Sequence, residues 1–403
     1  MKQTPGSTTP RATVATFSTV TMPAVSVANG AAPAAESSID LPLFDISHES
    51  SELGREIVQA AAKHGFLWIS GSPSSSSAND GDQGSYDLDA ATVQNVFDIG
   101  SRFFKGASGA EKAACKITKN RGFVDMKVEN LDPQSHARGD FKQCFNLAEP
   151  DPDTCAWRQP LPPQFSESAA DAALRDFHAR CRAVATRVLR LIALGLGIED
   201  ADWFVKSHEK SPYTVRMLYY PQLPAGTDYR ADADIRAGAH SDYGSITLLF
   251  TRPGQPGLEI LQDDGNWARV PISPPGYHDP DFPPIVVNIG DLLQFWTNGL
   301  LKSTVHRVVL VEEEQPLEQR PSASTAAALG TDRYSIAVFV QPADETVLVP
   351  VPSRAVSERA AAFQKVQIGS GGGSATAETL GQTTAGEHLL GRLRATYGIA
   401  VTG

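Results

Sequence analysis

The chain has 403 residues, 41% of them apolar, and a formal net charge of −11. That length and apolar content suffice for a large buried core. The acidic balance, without a basic cluster, argues against nucleic acid and anionic membranes as partners, and no apolar run reaches the length of a membrane span.

Residues 1–38 are rich in Ser, Thr, Ala and Pro and lack the apolar stretch of a secretory signal. They read as a disordered N-terminal tail. Lys2 and Arg11, with no acid before Glu36, leave a mitochondrial address as the alternative reading. The alternating stretch 39–46 predicts a first strand, the apolar spacing over 52–64 a helix, and residues 65–70 a second strand. A Ser-, Asp- and Gly-rich stretch near 72–88 reads as a surface insertion. Residues 90–105 predict a helix. Asp140-Phe141-Lys142-Gln143-Cys144-Phe145 is either ordinary strand packing or the lining of a pocket. Over residues 167–197, Leu174, Phe177, Cys181, Val184, Val188 and Leu191 fall on one stripe, which predicts a long core helix ending near Gly195 and Gly197.

From Val215 the pattern changes to short apolar runs broken by Gly, Pro and Asp-Gly, the signature of a sandwich or barrel. Strands are predicted over 246–250, 257–261, 267–270, 285–289, 292–296, around His306, and over 332–340, with a hairpin turn at Thr297-Asn298-Gly299. Residues 312–330 read as a polar, exposed insertion and 368–386 as a Gly/Ser/Thr linker. Residues 387–397 predict an amphipathic helix with Leu389, Leu390 and Leu393, placed to cover a barrel mouth or to pack on another subunit. The four cysteines, Cys115, Cys144, Cys155 and Cys181, lack zinc-knuckle spacing and read as reduced thiols of a cytoplasmic protein.

Two of the nine histidines stand apart. His240 and Asp242 are two residues apart, so on an extended strand both side chains point the same way. His306 lies 66 residues further on, flanked by Val305, Val308 and Val309. Two imidazoles and one carboxylate can hold iron(II) on one face and leave the other open. His48, His64, His136, His178, His208, His278 and His388 show no such spacing and read as ordinary surface or core residues. Arg333 and Ser335 share a face of the last strand. A guanidinium pointing into a core needs an anionic partner, and a carboxylate-bearing co-substrate is a natural one.

His240-Ser241-Asp242-Tyr243-Gly244, the run from Asn288-Ile289-Gly290-Asp291 to His306-Arg307-Val308, and Arg333-Tyr334-Ser335 occur in an order that resembles the iron(II)/2-oxoglutarate-dependent dioxygenases, specifically the isopenicillin N synthase-like group. The resemblance implies a mainly β fold with flanking α: a double-stranded β-helix (jelly roll) with N-terminal helices. It divides the chain into an N-terminal region over 39–200, a jelly-roll domain over 201–365, and a linker with C-terminal helix over 366–403. It implies Fe(II) bound by His240, Asp242 and His306, and 2-oxoglutarate held by Arg333 and Ser335, with Tyr220 reaching its carboxylate. It places Lys142, Gln143 and Phe145 beside the substrate, and allows ascorbate as an accessory reductant. The implied reaction hydroxylates or desaturates a small organic metabolite, in secondary metabolism, and releases succinate and CO2. The expected assembly is a monomer or weak homodimer.

Two departures stand out: Gly71-Ser72-Pro73 replaces the family's Asn-His-Gly, and Leu218 stands where many members carry Asn. Two other readings stay open at this level. One is an oxidase of the same group that does not use 2-oxoglutarate. The other is a catalytically silent jelly-roll binding module.

Overall fold

The computed structural model describes residues 37–70, 88–132, 135, 138–224, 226–230, 234–277, 279, 282–311, 330–362, 366–368, 373–375 and 381–397. The expected tail, the insertions near 72–88 and 312–330, His136 and His278 lie wholly or almost wholly outside these residues.

The chain enters through strand β1 (Leu43–Asp45), helix α1 (Ser51–Lys63) and strand β2 (Phe66–Ser70), as the alternation and spacing predict. Helix α1 starts where Ser50 Oγ accepts the Leu53 N–H at 3.1 Å, and it carries Glu52 in its first turn and Lys63 in its last. Helices α2 (Ala90–Gly106) and α3 (Gly109–Ala114) follow, then strands β3 (Gly122–Val124) and β4 (Gln143–Ala148). A single turn, α4 (Pro163–Ser166), leads into α5 (Ser168–Gly195), the long helix read from the apolar stripe. Its buried residues include Leu174, Phe177, Cys181, Val184, Val188 and Leu191. Helices α1 and α5 cross where Gly54 meets Gly195. A Cβ on Gly195 would sit 2.0 Å from the Gly54 carbonyl oxygen, so only glycine permits this approach.

After α6 (Trp203–His208) come β5 (Thr214–Tyr220), β6 (Ala237–His240), β7 (Ile246–Thr251), β8 (Leu258–Leu261), β9 (Trp267–Arg269) and β10 (Ile285–Ile289). Helix α7 (Asp291–Trp296), β11 (His306–Val308), β12 (Arg333–Val340), α8 (Arg354–Ala362), β13 (Val366–Ile368), β14 (Gly373–Ala375) and α9 (Ala385–Tyr397) complete the described chain. An eight-stranded sheet runs in the order β1-β2-β10-β7-β12-β5-β4-β3, and a four-stranded sheet in the order β6-β11-β8-β9. The two sheets make the expected jelly roll. One apolar cluster, with Phe103, Phe145, Phe165 and Phe177, packs the helices onto the large sheet. Smaller clusters lie on the other side, one of them around Leu218, Tyr220, Val308 and Ala337.

Two local expectations are corrected. Residues 292–296 form helix α7, not a strand, and Thr297-Asn298-Gly299 is the turn that ends this helix. Leu292, Leu293, Phe295 and Trp296 are all buried, and a short run buried on every side carries no period to separate strand from helix. The predicted Gly/Ser/Thr linker contains β14, which pairs antiparallel with β13 at the linker's start, Ile368 opposite Gly373.

Candidate active site

Strand β6 ends at His240, and β11 begins at His306. The two residues are cross-strand partners in an antiparallel pair, which brings their rings to 4.3 Å between centroids. His240 Nδ1 lies 2.7 Å from the Gly238 carbonyl and His306 Nδ1 3.1 Å from the Thr304 carbonyl. A carbonyl only accepts, so each Nδ1 carries the proton and each Nε2 is left with a lone pair. Burial and the neighbouring His306 push the His240 pKa down to about 3, so this ring is neutral at pH 7.

Asp242 lies just beyond the strand, not on it, so the two-residue period is not what aims it. Its backbone carbonyl accepts the Asp291 N–H at 2.7 Å from the first turn of α7. Its Oδ2 accepts from Thr247 Oγ1 at 2.6 Å and Asn288 Nδ2 at 2.8 Å. Its Oδ1 is thereby turned toward the histidines, 3.9 Å from both Nε2 atoms. Burial works against the carboxylate charge, but the two imidazoles and the Thr247 and Asn288 donors outweigh it and hold the carboxyl below its usual range. The loop can approach α7 because Gly290 faces Gly244: a Cβ on Gly290 would lie 2.2 Å from the Gly244 carbonyl oxygen. One ligand atom from each of His240, Asp242 and His306 lies within 4.8 Å of the others, a converging N, N, O donor set that fits Fe(II). Phe66 packs edge-on against His306, with centroids 5.4 Å apart.

The same cavity is lined by Arg333, Ser335, Tyr220, Lys142, Arg216 and Leu218. Arg333 is 2% exposed. Its Nε donates to the carbonyls of Gln255 and Pro256 at 3.2 and 3.1 Å, and its Nη1 to Ser335 Oγ at 3.4 Å. Its guanidinium stacks over the Tyr220 ring, 4.9 Å from the centroid, because the two residues are partners across β12 and β5. Burial lowers its pKa from the usual value. Among the described residues no carboxylate pairs with it. A buried, charged fork on a cavity wall fits the distal carboxylate of 2-oxoglutarate.

Of the three residues placed beside substrate, only Lys142 lines the cavity. Its ammonium bonds Glu129 Oε2 at 2.9 Å and also pairs with Asp140. Burial works against its charge, but these two carboxylates outweigh it and raise its pKa. Arg216 joins the bank through Glu129 at 3.2 Å and Asn146 at 2.7 Å. Gln143 and Phe145 are corrected. They lie on the opposite face of β4: Gln143 Nε2 bonds Asp125 at 2.7 Å, and Phe145 is fully buried, 4.8 Å from Phe165 and 5.3 Å from Phe103 between centroids. Side chains alternate across a strand, so Lys142 toward the cavity sends residues 143 and 145 away. Sequence reasoning gave no role to Thr247 and Asn288. They are cross-strand partners in β7 and β10, and an aligned polar pair in two apolar strands was the available signal.

The architecture and donor set together define a non-haem iron oxygenase. Residues 212–342 match the model of the 2OG-Fe(II) oxygenase superfamily, and residues 38–167 that of the N-terminal region described as non-haem dioxygenase in morphine synthesis. The chain belongs to the 2OG-Fe(II) oxygenase superfamily and is an Fe(II)- and 2-oxoglutarate-dependent dioxygenase acting on a small organic metabolite. It is 32% identical over 370 residues to UPF0676 protein C1494.01 of Schizosaccharomyces pombe, covering 90% of this chain and 94% of that one. It is 32% identical over 239 residues to the 2-oxoglutarate-dependent dioxygenase htyE of Aspergillus rugulosus, covering 58% of this chain and 63% of that one. A full-length protein of Neurospora crassa, solved in complex with alpha-KG and thymine, superposes with a TM-score of 0.64 at 25% identity, covering 91% of this chain and all of that one. No described helix is long and apolar enough to cross a membrane.

Proposed function

We propose that His240, Asp242 and His306 are the iron ligands, that Arg333, Ser335 and Tyr220 hold the far carboxylate of 2-oxoglutarate, and that Lys142 faces the substrate. The observation that carries this reading is Arg333: a guanidinium 2% exposed, with no carboxylate partner among the described residues, on the wall of the cavity that holds the donor triad. Such a charge is costly unless a ligand completes it.

When bound there, Fe(II) with 2-oxoglutarate supplies oxidation of a substrate C–H bond by O2, with release of succinate and CO2. The chain's own residues do the rest. The Gly238 and Thr304 carbonyls fix both imidazole tautomers, so Nε2 of each points at the metal position. Thr247 and Asn288 restrain Asp242 and leave one oxygen to bind. Arg333 fixes the distance of 2-oxoglutarate from the triad, and Phe66 backs the His306 ring edge-on. Lys142 and Arg216 offer one polar wall, while Leu131, Val308 and Phe339 offer apolar surface. This pairing suits a compact substrate with an acceptor oxygen at one end. The further proposals are action in the cytoplasm, in secondary metabolism, as a monomer or weak homodimer, without nucleic acid or membrane partners.

The test is 2-oxoglutarate binding to the Mn(II)-loaded protein without oxygen. Arg333→Ala should weaken it by roughly thirty-fold or more, since breaking a buried charge pair costs on the order of 2–5 kcal/mol. Arg333→Lys should recover part of the loss, because an ammonium lacks the planar fork. Equal binding by Arg333→Ala and wild type would put the anchor elsewhere.

A further inference from the structure

A buried ion pair that the proposed chemistry does not use joins the C-terminal helix to the back of the metal site. Arg392 in α9 is 4% exposed, and its Nη2 lies 2.8 Å from Asp291 Oδ2, in a side chain that is 0% exposed. Asp291 has further partners. Its Oδ2 accepts from Ser241 Oγ at 3.1 Å, its Oδ1 from Ser303 Oγ at 2.7 Å, and its own N–H donates to the Asp242 carbonyl at 2.7 Å. Ser241 stands between His240 and Asp242, and Ser303 three residues before His306. One carboxylate therefore ties together the two chain segments that carry all three donors.

Helix α9 grips this region at a second point. His388, one turn before Arg392, stacks on Phe295 of α7 with centroids 5.5 Å apart and planes 16° apart. The Arg392 guanidinium also lies over the Tyr243 ring, 5.2 Å from its centroid.

We propose that Arg392 is a positioning residue for the iron site. Through Asp291 it braces the loop 241–243 and the approach to β11, so that the C-terminal helix sets the metal affinity of the triad by way of an intervening carboxylate. This rests on the reading of His240, Asp242 and His306 as ligands. The physical ground is that a fully buried carboxylate holds two serines in fixed positions only while its own charge is matched. Without Arg392, Asp291 is left uncompensated beside the Asp242 backbone. The loop then gives way, and outer partners of this kind typically govern metal affinity by 10–100-fold. Helix α9, which the sequence marks only as a last amphipathic helix, thus supports the site through Arg392.

The test measures Mn(II) dissociation constants on the full chain, by the free-ion electron paramagnetic resonance signal, well below each variant's melting temperature. Arg392→Met should weaken binding roughly ten-fold or more, Arg392→Lys should restore most of it, and Ser241→Ala, which removes one bond and no packing, should weaken it several-fold. His388→Leu loosens the same helix without touching Asp291, so it should lower the melting temperature and leave the constant within about two-fold of wild type. If Arg392→Met does not fold, Ser241→Ala and Arg392→Lys carry the test. Two results overturn the proposal: Arg392→Lys and Ser241→Ala both matching wild type, or His388→Leu losing as much affinity as Arg392→Met. A His306→Ala variant that binds Mn(II) as well as wild type would instead sink the ligand assignment beneath it.

Discussion

At the scale of single residues, the site depends on where donors are aimed more than on which residues are present. Asp242 has one oxygen committed to Thr247 and Asn288 and one left for a metal. Asp242→Glu keeps the charge and adds a methylene, which pushes the free oxygen off the point equidistant from both Nε2 atoms. Iron content and turnover should both collapse. Near wild-type iron in purified Asp242→Ala, which has no carboxylate to bind with, would show that Asp242 is not a ligand. Phe145 gives the opposite case. It sits in the aromatic cluster with Phe103 and Phe165, so Phe145→Ala should cost about 3–5 kcal/mol in a urea titration. Any preference among accepted substrates should stay as it was. Lys142→Met, on the cavity side, should alter substrate acceptance while 2-oxoglutarate binding persists. That His240, Asp242 and His306 come together, with Arg333 on the same cavity wall, was legible because an H-x-D with a distant His and an R-x-S on an apolar strand stand out whatever the exact strand ends. The mistake at Gln143 and Phe145 came from carrying a whole stretch over from the resemblance: neighbouring residues of one strand point to opposite faces, so 142, 143 and 145 cannot all line one cavity.

At the scale of elements, close approaches between helices and loops carry the geometry. Gly195→Ala improves helix propensity yet should destabilise the protein by about 1–3 kcal/mol, because its Cβ would collide with the Gly54 carbonyl. Chemical denaturation checks this. A stability equal to or above wild type would mean that α1 can shift without loss. Helices α1, α2 and α5 were legible because each is long and repeats apolar residues at helical spacing. Helix α7 was not, because its apolar residues are buried on all sides. Nor could any local pattern pair Asp291 with Arg392 a hundred residues later. Contacts of that kind are settled by topology, and the sequence records only two ordinary charged residues.

At the scale of the whole molecule, buried histidines couple the fold to pH. His178 and His208 are held neutral by burial, each with its pKa pushed down to about 4. His208 bonds the Phe204 carbonyl at 2.7 Å and Ser245 Oγ at 2.9 Å, while neither ring nitrogen of His178 has a hydrogen-bond partner among the described residues. The unfolded chain takes up these protons near pH 6.5 and the folded one only near pH 4. Stability therefore falls as the pH drops through that window, by about 3 kcal/mol per histidine. His178→Leu should flatten this acid limb in denaturation curves taken from about pH 7 down to 4, and an unchanged limb would show that His178 does not contribute. Strands of both sheets of the jelly roll line one cavity, where the triad and Arg333 face a shared space. The most direct measurement of that claim is release of labelled CO2 from 2-oxoglutarate carrying the label in its 1-carboxyl group, with added Fe(II) and O2. Wild type should release it, slowly without substrate, and His240→Ala, Asp242→Ala, His306→Ala and Arg333→Ala should each lose it at limiting 2-oxoglutarate. Undiminished release by any of the three triad variants, or none from iron-loaded wild type, would contradict the account.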